Sequence, residues 1–167
     1  MKKRGSIKGH RAQLDISFGM IFSIIIIIAL LGTAFYAIKY FVNLSRCTDV
    51  GLFYNDLQIE INKAYESPLY SGTFSGKLPN GIDYVCYGNL SSSSSVYKEQ
   101  YDLLRRYKNT GKNLFLYPVQ KACDNSLASY QLLHVYDSSF FCVPVLNEKV
   151  EIKLSKESED SFVHISK

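Results

Sequence analysis

The stretch FGMIFSIIIIIALLGTAFYAI, Phe18 to Ile38, decides how the rest of the chain is read. None of its residues is charged. At 1.5 Å per helical residue it spans about 31 Å, close to the hydrocarbon thickness of a bilayer. Five consecutive isoleucines, Ile24 to Ile28, favour a strand locally. A lone strand in lipid leaves its backbone polar groups unpaired, however, so the segment is predicted to be a membrane-spanning helix. Tyr36 and Tyr40, with Lys39 between them, form an interfacial belt at its far end.

The charge on either side sets the expected topology. Lys2, Lys3, Arg4, Lys8 and Arg11 precede the first acidic residue, Asp15. From Phe41 onward, 13 Lys and Arg stand against 14 Asp and Glu, so the formal net charge of +4 comes from the N-terminal cluster. A basic cluster beside an apolar span sets membrane orientation and is not the footprint of a nucleic-acid-binding face. The expected organisation is a cytoplasmic leader over residues 1–12, a transmembrane or assembly helix over 13–40, and an extracellular head over 41–167. A cleaved secretory signal fits poorly, because its apolar core is shorter and ends in small residues. Here the exit reads YAIKYFVNLSRC, Tyr36 to Cys47.

All four cysteines, Cys47, Cys86, Cys123 and Cys142, fall in the exported part and predict two disulfides. Three connectivities are possible; the one favoured is Cys47–Cys86 with Cys123–Cys142, each closing a local loop. No CxxC spacing occurs, and His10, His134 and His164 form no metal-ligand pattern, so neither a metal nor another cofactor is expected. Two Asn-Leu-Ser triplets, at Asn43 and Asn89, are candidate N-glycosylation sites on the outer side.

Past the apolar run, Val50, Phe53, Leu57, Ile61 and Ala64 recur at steps of three, four, four and three. That is one face of an amphipathic helix, a near-continuous extension of the membrane span, with Asp56, Glu60 and Lys63 on the solvated side. The period then changes. Pro79–Gly81 between two short β-type runs signals a hairpin. Ser95, the last of five serines, suits the N-cap of a second helix whose Leu103, Leu104 and Tyr107 face inward and which ends before Gly111. The runs LFLYPV, YQLLHVY, FFCVPVL, VEIKL and FVHI then read as strands. KVEIKLSK, from Lys149, alternates cleanly and should have one wet face. The fold class is α+β: a long helix packed on a small, mostly antiparallel β head with one further helix. His134 and His164 read as structural, since no nucleophile motif accompanies either, and no catalytic residue or small-molecule substrate is expected. Eleven of the 13 tyrosines lie in the head, where they suit half-buried strands and contact surfaces alike.

The stretch RAQLDISF, Arg11 to Phe18, joins a basic leader to the apolar helix. The order of basic leader, small residue, glutamine, polar turn, uninterrupted apolar helix and disulfide-bearing head resembles archaeal type IV pilin-like proteins with a class III signal peptide. In detail the opening is similar to small surface proteins of archaea with reduced genomes. The resemblance covers about 30 residues specifically. It implies cutting by a prepilin-type peptidase on the cytoplasmic side, after Ala12, with Arg11, Ala12 and Gln13 as the processing site and Gln13 as the new N-terminus. It further implies a filament or pseudopilus-like assembly of copies of this chain, with Asp15, Ser17, Phe18, Ile21 and Ile25 in subunit contacts. Many pilins have glutamate at the fifth mature position; here Ser17 occupies that place and the acid is Asp15. Asp15 then either meets a neighbour's terminal amine or caps the membrane helix. The alternative is an uncut single-pass membrane protein displaying a binding or adhesion head.

Overall fold

A computed structural model of the chain describes residues 18–91 and 96–167. The chain divides into two units, Met1–Tyr40 and Phe41–Lys167. One helix, α1 (Phe18–Glu66), supplies the described part of the first unit and the opening of the second. In the first unit its large apolar side chains are exposed all round, from Phe18 through Ile38. The serine and threonine hydroxyls there are satisfied within the helix: Ser23 Oγ donates to the Gly19 carbonyl at 2.8 Å, and Thr33 Oγ1 to that of Leu30 at 2.9 Å.

In the head, α1 buries the stripe its periodicity predicts: Val50, Phe53, Leu57, Ile61 and Ala64, together with Tyr54. Seven strands follow: β1 (Tyr70–Lys77), β2 (Tyr84–Tyr87), β3 (Leu114–Tyr117), β4 (Ser129–Tyr130), β5 (Phe141–Pro144), β6 (Lys149–Lys156) and β7 (His164–Ser166). The second helix, α2 (Lys98–Leu104), lies between β2 and β3. The strands form two antiparallel sheets, ordered β1-β6-β7 and β4-β3-β2-β5. β6 alternates as expected, with Val150, Ile152 and Leu154 buried and Glu151, Lys153 and Ser155 exposed. Phe53 meets Phe74 of β1 at 5.8 Å between ring centroids, and Tyr54 stacks on Tyr130 of β4 at 4.6 Å. One helix face thus closes a core shared by both sheets. Gly76 makes room for it, since a Cβ there would lie 2.6 Å from the Phe53 ring.

Four local expectations are corrected. Pro79–Gly81 is not a hairpin, because β1 pairs with β6 while β2 pairs with β3 and β5. The loop instead carries the chain from one sheet to the other, with Leu78 N–H bonded to the Glu148 carbonyl and Asp83 N–H to that of Tyr117. The tight two-residue reversal lies at Asn147 and Glu148, both at positive φ, between the reciprocally bonded Leu146 and Lys149. YQLLHVY is not a strand beyond Tyr130. Side-chain amides take the place of a neighbouring strand there: Asn113 bonds both the N–H and the carbonyl of Leu132, and Gln58 those of Leu133. Finally, α2 begins at Lys98 with Tyr97 at the cap position, and Ser95 lies outside the described residues. Of the three residues expected inward, Leu104 is buried, Tyr107 half-buried and Leu103 49% exposed.

The disulfides are Cys47–Cys123 and Cys86–Cys142, so pairing by sequence proximity is overturned. Cys86 and Cys142 face each other in the β2–β5 register, with Cα atoms 3.9 Å apart. That pairing of strands distant in sequence leaves Cys47 on α1 to Cys123, at 5.1 Å between Cα atoms. The separations of 76 and 56 residues make each bridge worth about 4 kcal/mol in the chain-entropy treatment.

Peptide mapping under non-reducing conditions should recover Cys47–Cys123 and Cys86–Cys142 linked peptides; Cys47–Cys86 linkage would contradict the fold. Leu57 is wholly buried and Ile59, two residues on, is 55% exposed. Leu57→Ala is therefore expected to cost about 2–5 kcal/mol in chemical denaturation of the detergent-solubilised chain, and Ile59→Ala about 0.5 kcal/mol or less.

Candidate assembly surface

The site suggested by the sequence is a surface for lipid or for other copies of the chain. Of the residues assigned to it, Arg11, Ala12, Gln13, Asp15 and Ser17 lie outside the described residues. Phe18, Ile21 and Ile25 are all exposed on α1. α1 is long and apolar enough to cross a membrane, and no residue of its most apolar window is buried. Such a helix suits membrane anchoring or a signal segment, and two disulfides suit an extracellular head.

A second apolar feature lies on the head portion of α1. Leu52 and Ile59 are 53% and 55% exposed. At about 100° per residue they share one line, roughly half a turn around from the buried stripe. Thr48 and Asn55 lie beside them, also exposed. This portion of the helix is therefore apolar inward, where it holds the head, and carries two large aliphatic groups outward. The seven-residue spacing was visible in the sequence, but the buried stripe at steps of three and four dominates the pattern.

The interior face is held by polar bonds as well as packing. Tyr54 Oη donates to the Leu127 carbonyl at 2.6 Å, and Tyr87 Oη to that of Tyr136 at 2.6 Å. Burial pushes the Tyr54 phenol well above the ordinary tyrosine range, with Tyr130 adding to the effect. Burial does the same for Tyr87, helped by Asp137. Tyr70 Oη donates to Glu60; this bond pushes the phenol up to about 12 and holds the Glu60 carboxyl below the usual carboxylate range. The pair fastens β1 to α1 at the end of the helix.

His134 and His164 are engaged in packing. His134 stacks on Tyr65 at 4.1 Å and its Nδ1 lies 3.3 Å from Asn62 Oδ1; His164 Nε2 lies 3.3 Å from Asp160. An open cleft of about 530 Å³ between the Pro79–Asp83 loop and Val145 carries two carboxylates, Asp83 and Glu148. Glu148 faces Lys77 at 3.8 Å, and no nucleophile with a base beside it lines that cleft. Among the described residues no group of three His, Cys, Asp or Glu is placed to hold a metal ion. Asn43 and Asn89 are both exposed, on α1 and on the turn after β2. Comparisons with protein-family models, curated proteins and solved structures return no match.

The raised phenols fix the sign of one pH response. Between about pH 10 and 12 the unfolded chain releases tyrosine protons that the folded head retains, so raising the pH favours unfolding. The urea midpoint should be flat from pH 8 to 9.5 and fall above about pH 10. Tyr54→Phe should shallow that fall, while costing about 1–2 kcal/mol at neutral pH by stranding the Leu127 carbonyl.

Proposed function

We propose that this chain is a structural, pilin-like surface subunit. It inserts with residues 1–12 inside, is cut after Ala12, and assembles through its apolar helix into a filament or pseudopilus-like assembly at the cell surface. The observation that carries the reading is the build of α1, a single helix from Phe18 to Glu66 that is apolar all round at first and is then capped by a disulfide-bonded head. Twenty-one residues of exposed apolar surface must be covered, by lipid before assembly and by identical helices after it. Leu52 and Ile59 add exposed apolar contact on the head portion, which this reading places outside the bilayer. Within this reading the partners are membrane lipid, a prepilin-type peptidase and further copies of the chain, and the head acts by contact, without catalysis.

The uncut, membrane-anchored surface protein is the second reading. It is supported by a head whose two disulfides both close within the head, Cys47 to Cys123 and Cys86 to Cys142.

Intact-mass analysis of material sheared from wild-type cells separates the two. The pilin-like reading expects extracellular assemblies whose subunit begins at Gln13; a chain beginning at Met1 and confined to the membrane fraction would defeat it. Leu52→Lys with Ile59→Lys should leave the head's denaturation midpoint within about 0.5 kcal/mol of wild type and reduce the yield of sheared assemblies severalfold.

A further inference from the structure

Asn43 and Asn89 carry the same triplet in different geometries. On α1, Asn43 and Ser45 are two residues apart in a helix, so their side chains project about 200° from each other. An enzyme that reads asparagine and hydroxyl together cannot meet both without unwinding the helix. Asn43 also lies only five residues beyond Ile38, the end of the uncharged run, within about 17 Å of it even when the chain is fully extended.

Asn89 forms a single β-bridge with Ser139, its N–H donating to the Ser138 carbonyl at 3.0 Å, and the turn at Leu90 and Ser91 follows it. Gly88, at φ +118°, lets the chain pass against the Ser139–Phe140 backbone that leads into β5; a Cβ there would lie 2.7 Å from the Ser139 carbonyl oxygen. Leu90 is buried, and its carbonyl accepts from Tyr101 Oη at 3.0 Å, which anchors the middle of the triplet. Asn89 Oδ1 accepts from Ser91 N–H at 2.8 Å, an Asx turn that brings residues 89 and 91 to one side. Asn89 Nδ2 donates to Asp137 Oδ2 at 3.1 Å. The side chain is exposed and borders an open cleft of about 340 Å³ that also touches Lys108, Lys112 and Asp137.

We propose that Asn89 is the glycan acceptor of this chain and that Asn43 is not. The donor class is a sugar carried on a lipid phosphate. A bond forms between Asn89 Nδ2 and the sugar's anomeric carbon, the bond from that carbon to the phosphate oxygen breaks, and Nδ2 gives up one proton. The inference rests on the proposed export of the head, though not on assembly.

The test is mass spectrometry of the native protein from wild-type cells, comparing tryptic peptides 40–46 and 78–98. The expected result is a glycan on Asn89 and a bare Asn43. Ser91→Ala should abolish the modification, and Ser45→Ala should leave it. Because Asn89 bonds the backbone N–H of Ser91, Ser91→Ala keeps the turn and removes only the hydroxyl that the transferase reads. A bare Asn89, a glycan on Asn43, or modification surviving Ser91→Ala would each overturn the proposal. If Asn89 is bare, intact disulfides in the same sample leave the export of the head standing, whereas free thiols bring it down as well.

Discussion

The apolar surface of α1 cannot remain in water, and each part of the helix resolves that demand differently. Burial is worth about 25 cal/mol per Å² of apolar surface. In the head the account closes within the chain: Val50, Phe53, Leu57, Ile61 and Ala64 are covered by two sheets. From Phe18 to Ile38 no described residue of the helix is buried, which suits membrane anchoring or a signal segment. Leu52 and Ile59 fall between these cases, on a helix whose opposite face is already committed.

The head reads as a device for holding the second half of that helix. Phe53 reaches the β1-β6-β7 sheet and Tyr54 the β4-β3-β2-β5 sheet, so the two sheets share one helical ridge. Cys47–Cys123 adds a covalent tie to α1 at the start of the head, and Tyr70 to Glu60 a polar one towards its end. Cys86–Cys142 locks neighbouring strands in the second sheet. The head portion of α1 is thus tied to the sheets near its start and towards its end.

Periodicity made both halves of α1 legible, since an uncharged run and a three-four stripe each have one good solution. The alternation of β6 was legible for the same reason. Pairing was not. Asn80–Gly81 is the strongest turn signal in the chain, yet the tight reversal belongs to Asn147–Glu148, because strand partners are chosen by burial across the core and not by turn residues alone. The disulfide pairing failed with it, as Cys86 meets Cys142 only once β5 lies beside β2. The segment 131–135 departs for a further reason: Asn113 and Gln58 bond the backbone of Leu132 and Leu133 from side chains, which no strand periodicity encodes. The outward Leu52 and Ile59 were present in the sequence but masked by the stronger stripe on the other face.

Sedimentation of the full chain, released from cells without detergent, asks whether the apolar half of α1 is ever left in water. The account predicts that the polypeptide is found with membranes or in assemblies and that none sediments as a monomer in the soluble fraction. A stable, freely soluble monomer with Phe18–Ile38 intact would contradict it.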